Sequence, residues 1–169
     1  SSIAKILAEK LNFIYVDTGA IYRSVGLYFL RRDIGFEQVE LIISNLDKII
    51  IDIKYIEGVQ HIFLNNEDVS DKIRSREVSD AASKVSVIPE VREAIIDLQR
   101  NLGEKYDVVM DGRDIGSKVL KNAPLKIYLD ASLEIRAKRR QLDLQDKNID
   151  CDLETAKKDI EERDFRDMN

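Results

Sequence analysis

At 169 residues, with 44% hydrophobic and 35% charged side chains, the chain is long enough for one well-buried core and too short for two large independent domains. A net charge of −5 argues against non-specific nucleic-acid binding as the main activity. No apolar run approaches the length that spans a bilayer, and no signal-peptide pattern opens the chain. The single cysteine, Cys151, cannot close an internal disulfide, which suits a reducing cytoplasm. One histidine, His61, beside that cysteine all but excludes a His/Cys metal site, and leaves no triad with a histidine base unless His61 itself serves.

In chain order, Ser1 and Ser2 are good helix N-caps, and Ile3, Ile6, Leu7 and Leu11 follow at helical spacing. Residues 12–16 are aromatic and β-branched and predict a strand ending at Asp17. Thr18 is expected to cap a second helix running to about Arg31, and 37–46 predicts a short third one. Residues 48–56 and 59–65 predict a hairpin turning at Glu57-Gly58, a small insertion in an otherwise α/β alternation. Helices are expected at about 76–86 and from Pro89, the latter carrying Val91, Ala94, Ile95 and Leu98 on one side. Residues 106–110 and 125–129 are nearly uninterrupted apolar runs, as in parallel strands covered on both faces, and each is followed by an acid, Asp111 or Asp130. Helices follow at 132–146 and 153–167, with a polar 147–152 stretch between them that is expected to be mobile. The result is a parallel, doubly wound sheet of three strands, thin for so many helices.

Three constellations could carry chemistry. Asp17-Thr18-Gly19-Ala20-Ile21-Tyr22-Arg23 follows a strand and opens a helix, at the sheet edge where ligands bind in open α/β folds. Arg23 is expected in the first turn, where a cation opposes the macrodipole by about 0.3–1 kcal/mol; it could meet an anion, pair with Asp17 or lie in solvent. Asp111-Gly112-Arg113-Asp114 ends a strand. An acid there commonly organises magnesium in phosphoryl-transfer proteins, glycine admits close approach and arginine suits phosphate, although Asp-Gly is also a routine turn. Arg136, Arg139 and Arg140 share one helix face, as do Arg163 and Asp167. Three gathered cations favour a bound anion, whereas the 163/167 pair can equally be a surface pair worth little.

These segments together resemble the bacterial cytidylate kinases, a branch of the P-loop nucleoside monophosphate kinases. The resemblance runs over essentially the whole chain. It rests on 17–23, Ala81-Ala82-Ser83-Lys84-Val85, Pro89-Glu90-Val91-Arg92-Glu93-Ala94, 111–116, 123–131 and Glu162-Arg163-Asp164-Phe165-Arg166-Asp167, in order and at family-like spacing. The hairpin at 48–65 matches the extra domain that sets this family apart from adenylate kinases.

The resemblance implies an α/β, P-loop NTPase-like parallel sheet flanked by helices, with a small insert domain containing a β-hairpin and a helical lid. Residues 1–36 and 76–169 would form the kinase core, with the lid at about 141–162, and 37–75 the CMP-binding insert domain. The implied enzyme moves the terminal phosphoryl group of ATP, with Mg²⁺, to CMP or dCMP. It would be a cytoplasmic monomer with no nucleic-acid or membrane partner. Thr18, Arg92 and Asp114 would surround the cytosine, Arg23 and Arg113 would hold the acceptor phosphate, and Ser83, Arg163 and Asp167 would contact the sugar. Ser1, Ser2, Arg136 and Arg140 would meet ATP. Arg113, Arg136, Arg140 and Arg163 would act on the transferring group, and Ser1 and Asp111 would serve the metal.

The family opens with a strand and a glycine-rich loop ending Gly-Lys-Ser/Thr, and this sequence starts just after the expected lysine. The absent strand would lie mid-sheet. The sequence also stops before a further basic residue and a closing strand and helix, so 1–169 alone is not expected to be competent for catalysis. Two other readings stay open: the same fold with a different small acceptor, and a nucleotide-binding module without turnover. The hairpin and the Arg92/Asp114 pair weigh against the first; a Gly-Lys-Ser upstream would weigh against the second.

Overall fold

A computed structural model describes residues 2–56, 59–145 and 150–168, with the side chains of 163 and 166–168 excepted. The chain runs α1 (Ser2–Leu11), β1 (Ile14–Asp17), α2 (Thr18–Leu30), α3 (Val39–Ile43), β2 (Ile51–Ile56), β3 (Val59–Leu64), β4 (Glu67–Asp68), α4 (Arg76–Val85), α5 (Pro89–Lys105), β5 (Val108–Asp111), α6 (Leu133–Gln145) and α7 (Leu153–Met168). Short 3₁₀ turns fall at Leu46–Lys48 and Lys72–Arg74, and a π-helical turn at Ile115–Val119. The fold is α/β, with a parallel sheet flanked by helices. It divides into two compact units, Ser1–Pro124 and Leu125–Asn169.

In the first unit, β1 and β5 form a parallel pair with Asp17 opposite Asp111. Helix α2 is the hub. Ile21, Val25, Tyr28 and Phe29 are buried in one cluster with Val16 of β1, Ile62 and Leu64 of β3, Val78 and Val85 of α4, and Val91 and Ile95 of α5. A helix apolar around most of its circumference must be covered on several sides, and the hairpin, the sheet and two helices do so here. Close approach of α2 to α4 is made at Gly26, where an added Cβ would stand 2.8 Å from the Ala82 amide nitrogen. The insert's β2 and β3 pair antiparallel from Ile51↔Leu64 to Ile56↔Val59, and β4 adds a short third strand that the sequence reading did not anticipate. The turn expected at Glu57-Gly58 lies outside the described residues.

Several expectations are corrected. The cap of α2 is Asp17, not Thr18: its Oδ1 accepts from the Ala20 amide at 3.1 Å, an interaction worth about 1 kcal/mol. Because the helix begins at Thr18, Arg23 is its sixth residue, in the second turn, where the opposing macrodipole has largely faded. In α1 the buried residue is Ala8, while Ile3 and Ile6 of the expected apolar stripe are exposed. The third helix is shorter than expected, Val39–Ile43, and tightens into the 3₁₀ turn after Asn45.

The strand expected at 125–129 is absent. That stretch is irregular, with Leu125 and Ile127 each 70% and Tyr128 91% exposed. Apolar composition favours a strand only where a neighbour accepts its backbone groups, and among the described residues none ladders with this segment. The parallel sheet therefore has two strands here rather than three. In the second unit, α6 packs on α7, burying Ala137, Leu144 and Ala156. Residues 146–149, within the segment expected as a lid and overlapping the 147–152 stretch expected to be mobile, lie outside the described residues.

Two predictions follow from this packing. Gly26→Ala should lower unfolding free energy by about 1–3 kcal/mol in denaturant titrations, because backbone rather than a flexible side chain stands in the way. The second concerns acid. Glu67 is held at about 2, below its ordinary 4.5, by hydrogen bonds first from Arg31 (2.6 Å) and then from Lys72. Asp68 sits at about 2, below 3.8, through the Ser70 hydroxyl and amide and then His61. The fold favours both ionised forms, so their contribution is full above the ordinary values and is lost as pH falls toward 2. Urea midpoints measured down this acid range should fall less steeply for Glu67→Gln than for the parent.

Candidate functional site

The parallel register brings two strand ends to the same level, one running directly into helix α2 and the other into a turn, both bearing charge. Asp17 ends β1, and Thr18, Tyr22 and Arg23 follow it on α2. From β5 come Asp111, Gly112, Arg113 and Asp114. Thr18 ties the two: its hydroxyl donates to the Asp111 carbonyl at 2.7 Å, and the residue is almost wholly buried. Gly112 is what permits that approach, since a Cβ there would stand 2.5 Å from Thr18 Oγ1 and 2.8 Å from Ile115 Cγ1.

Arg23 donates from Nη2 to Asp17 Oδ2 at 3.0 Å, so the pairing left open by the sequence is made. Its Nε is buried and has no hydrogen-bond partner among the described residues. An unpaired guanidinium N–H out of reach of water is costly, and an anion is the ligand that best relieves it. Gly19 leaves room for the pair: a Cβ there would lie 3.1 Å from Arg23 Nη1 and 3.2 Å from Asp17 Oδ1.

The expected Arg92/Asp114 pair is brought together across 22 residues of sequence. Arg92 Nη2, on α5, donates to Asp114 Oδ2 at 2.7 Å. Both side chains are partly exposed, at 37% and 24%, so a ligand can reach them. Asp114 opens the π-helical turn at Ile115–Val119, its carbonyl accepting from Lys118 at 2.8 Å. Tyr22, which the sequence reading did not single out, lies against this pair. Burial pushes its hydroxyl up to about 12, the Asp114 charge adds to the rise and Arg92 opposes it. The available signal was its place directly before Arg23 in a charged motif. Arg113 is exposed on the bend between Asp111 and Asp114, and Ser83 is partly buried on α4, where its carbonyl accepts from Ser86.

Asp111 has Oδ1 hydrogen-bonded by the Tyr15 hydroxyl at 3.1 Å. Burial, then the Asp111 and Asp17 charges, pushes the Tyr15 hydroxyl well above its ordinary value, so it remains a donor at any working pH. No group of three or more His, Cys, Asp or Glu able to hold a metal unaided occurs among the described residues.

In the second unit, Arg136 on α6 donates from Nε to the Ala131 carbonyl at 3.1 Å and from Nη1 to Asp164 of α7, 2.7 Å from Oδ2. Arg140, one turn on, is partly buried, and Arg139 is exposed. Asp164 is a partner the sequence reading missed, 28 residues distant. Of the other residues expected at the site, Ser2 is exposed at the start of α1, while Ser1 and the side chains of Arg163 and Asp167 lie outside the described residues.

The arrangement gathers Arg23, Arg92 and Arg113 with Asp17, Asp111 and Asp114 around two strand ends, a set of paired charges able to meet a small polar anion. Comparison with known proteins places the chain in a family. A family model described as cytidylate kinase matches residues 1–169. The cytidylate kinase of Caldicellulosiruptor saccharolyticus is 47% identical over 168 residues, covering 99% of this chain and 74% of that protein. The cytidylate kinase of Caldicellulosiruptor bescii is 48% identical over 168 residues, with the same two coverages. That of Lactobacillus johnsonii is 44% identical over 169 residues, covering all of this chain and 74% of its own length.

The Thr18 tie gives a direct check. Gly112→Ala should destabilise the protein by about 1–3 kcal/mol in chemical denaturation, since Thr18 and Ile115 must both move.

Proposed function

The chain belongs to the cytidylate kinase family, and on that premise we propose that the charged cluster on α2, α5 and the β5 turn binds the acceptor, CMP or dCMP, for phosphoryl transfer from ATP. The observation carrying this reading is the 2.7 Å contact of Arg92 with Asp114 in a partly exposed position. Cytosine offers a donor at N4 and acceptors at N3 and O2. A carboxylate beside a guanidinium complements that pattern, and uracil, with a carbonyl in place of the N4 amine, would set oxygen against the Asp114 carboxylate. Tyr22, kept protonated by burial, is close enough to this pair to feel both its charges.

Arg23 and Arg113 take the acceptor phosphate in this reading, supported by the unpartnered Nε of Arg23. Thr18 frames the base, and Ser83 with Arg163 and Asp167 takes the sugar. By family resemblance Ser1, Ser2, Arg136 and Arg140 serve ATP, and Arg113, Arg136, Arg140 and Arg163 act on the transferring group. The Arg136–Asp164 contact supports the donor-side assignment, because it holds one guanidinium fixed with little entropy left to lose on binding. Residues 37–75 are the CMP-binding insert, 1–36 and 76–169 the kinase core, and about 141–162 the lid. This division follows the family resemblance. A cytoplasmic site of action fits the lone cysteine.

Phosphoryl transfer passes through a loose transition state with charge spread over the equatorial oxygens, so positioning and electrostatics do most of the catalysis. The acceptor phosphate is already anionic and no general base is assigned. Mg²⁺ fits the residues present: the ion characteristically takes one or two carboxylates and fills its remaining positions with water and substrate phosphates, and Asp111 supplies one carboxylate at the strand end, steadied by Tyr15. Asp111 and Ser1 would hold it. When bound, it supplies neutralisation of charge on the nucleotide phosphates. The chain's own arginines orient both phosphates, and Asp114 and Arg92 fix the base from which the acceptor's position follows.

Steady-state kinetics on the intact enzyme test the base assignment. CMP and dCMP should drive ADP formation far better than UMP or AMP. Asp114→Asn should lower kcat/KM for CMP by about 10- to 100-fold, the loss of a charge-assisted hydrogen bond, and shrink the CMP-to-UMP preference. An unchanged preference would remove Asp114 from base reading.

A further inference from the structure

Strand β1 pairs with β5 on one edge only among the described residues. The Ile14 amide donates to the Asp107 carbonyl at 2.8 Å, so Ile14 and Val16 turn their backbone groups toward β5. By the alternation of a strand, Tyr15 and Asp17 turn theirs to the opposite, outer edge. Those groups are met by side chains of the insert hairpin. The Tyr55 hydroxyl donates to the Tyr15 carbonyl, and Gln60 Oε1 accepts from the Asp17 amide at 3.3 Å. Tyr55 and Gln60 are direct cross-strand partners in the β2–β3 register. One rung of the hairpin thus presents a donor and an acceptor to two alternate residues of β1, in the order a further strand would use. Burial pushes the Tyr55 hydroxyl up to about 12, which keeps it a donor.

Asp17 is where this edge meets the acceptor pocket. Its amide is held by Gln60, its Oδ1 caps α2 through the Ala20 amide, and its Oδ2 receives Arg23. We propose that the Tyr55–Gln60 rung is a positioning element for the acceptor phosphate site, fixing the Asp17 backbone so that its carboxylate holds both the helix start and Arg23. Neither residue touches substrate; both act through Asp17. This rests on the reading of Arg23 as a ligand of the acceptor phosphate.

The test is steady-state kinetics of the intact enzyme, with CMP and ATP varied in turn, for Tyr55→Phe, Gln60→Met, Gln60→Glu and Arg23→Lys. Tyr55→Phe and Gln60→Met should each raise the KM for CMP about 3- to 10-fold, as expected for loss of one ordinary hydrogen bond, with the KM for ATP and kcat within about twofold of the parent. Gln60→Glu keeps an acceptor oxygen and should return the KM for CMP to near the parent value. If Tyr55→Phe and Gln60→Met lower Tm yet leave the KM for CMP unchanged, while Arg23→Lys raises it, the rung is merely structural and the inference is overturned with the acceptor-site reading intact. If Arg23→Lys itself leaves the KM for CMP unchanged, the acceptor-site reading fails instead, and the inference with it.

Discussion

The register of β1 on β5 is the constraint from which the site follows. Pairing Asp17 with Asp111 puts the start of α2 and the turn after β5 at one level, and the Thr18-to-Asp111 hydrogen bond of 2.7 Å locks that level in place. A slip of one residue would invert the faces of β1, sending Val16 out of the core and taking Thr18 off the Asp111 carbonyl. Everything charged in the pocket hangs from these two strand ends or from α5, which delivers Arg92. The site is therefore specified mainly by backbone pairing, and its glycines, Gly19 and Gly112, matter because each keeps a gap that a methyl group would close.

Electrostatics then divides the site. Arg92 and Asp114 neutralise each other in the free protein while both stay partly exposed, an arrangement that suits a ligand able both to donate and to accept. Arg23 pairs through one nitrogen with Asp17, and its buried Nε has no hydrogen-bond partner among the described residues. A group left under-coordinated in the free state gains most on binding, so a local placement of this kind can favour an anion without a large net positive charge. The net charge of −5 therefore does not weigh against a small anionic ligand.

Much of this was legible in the sequence because it is written locally. The apolar runs of β1 and β5, Pro89 at the start of α5, and the hairpin between 48 and 65 all follow from patterns a few residues long. The meeting of Arg92 with Asp114 came from family likeness, since no local pattern links positions 22 apart. What was misread needed knowledge of partners. Asp17 and Thr18 are both good caps, and only the actual helix start decides between them. Residues 125–129 have the composition of a strand, but composition cannot supply a neighbour to pair with. Tyr22, Asp164 and the Tyr55–Gln60 rung matter through contacts made across the fold, and no local periodicity marks them.

The most direct measurement is a crystal structure of the intact enzyme with CMP bound. The expected result has the cytosine N4 within hydrogen-bonding distance of an Asp114 carboxylate oxygen, Arg92 turned to the ring acceptors, and the phosphate against Arg23. A nucleotide seated elsewhere, with Arg92 and Asp114 still closed on each other and Arg23 Nε still unpaired, would contradict it.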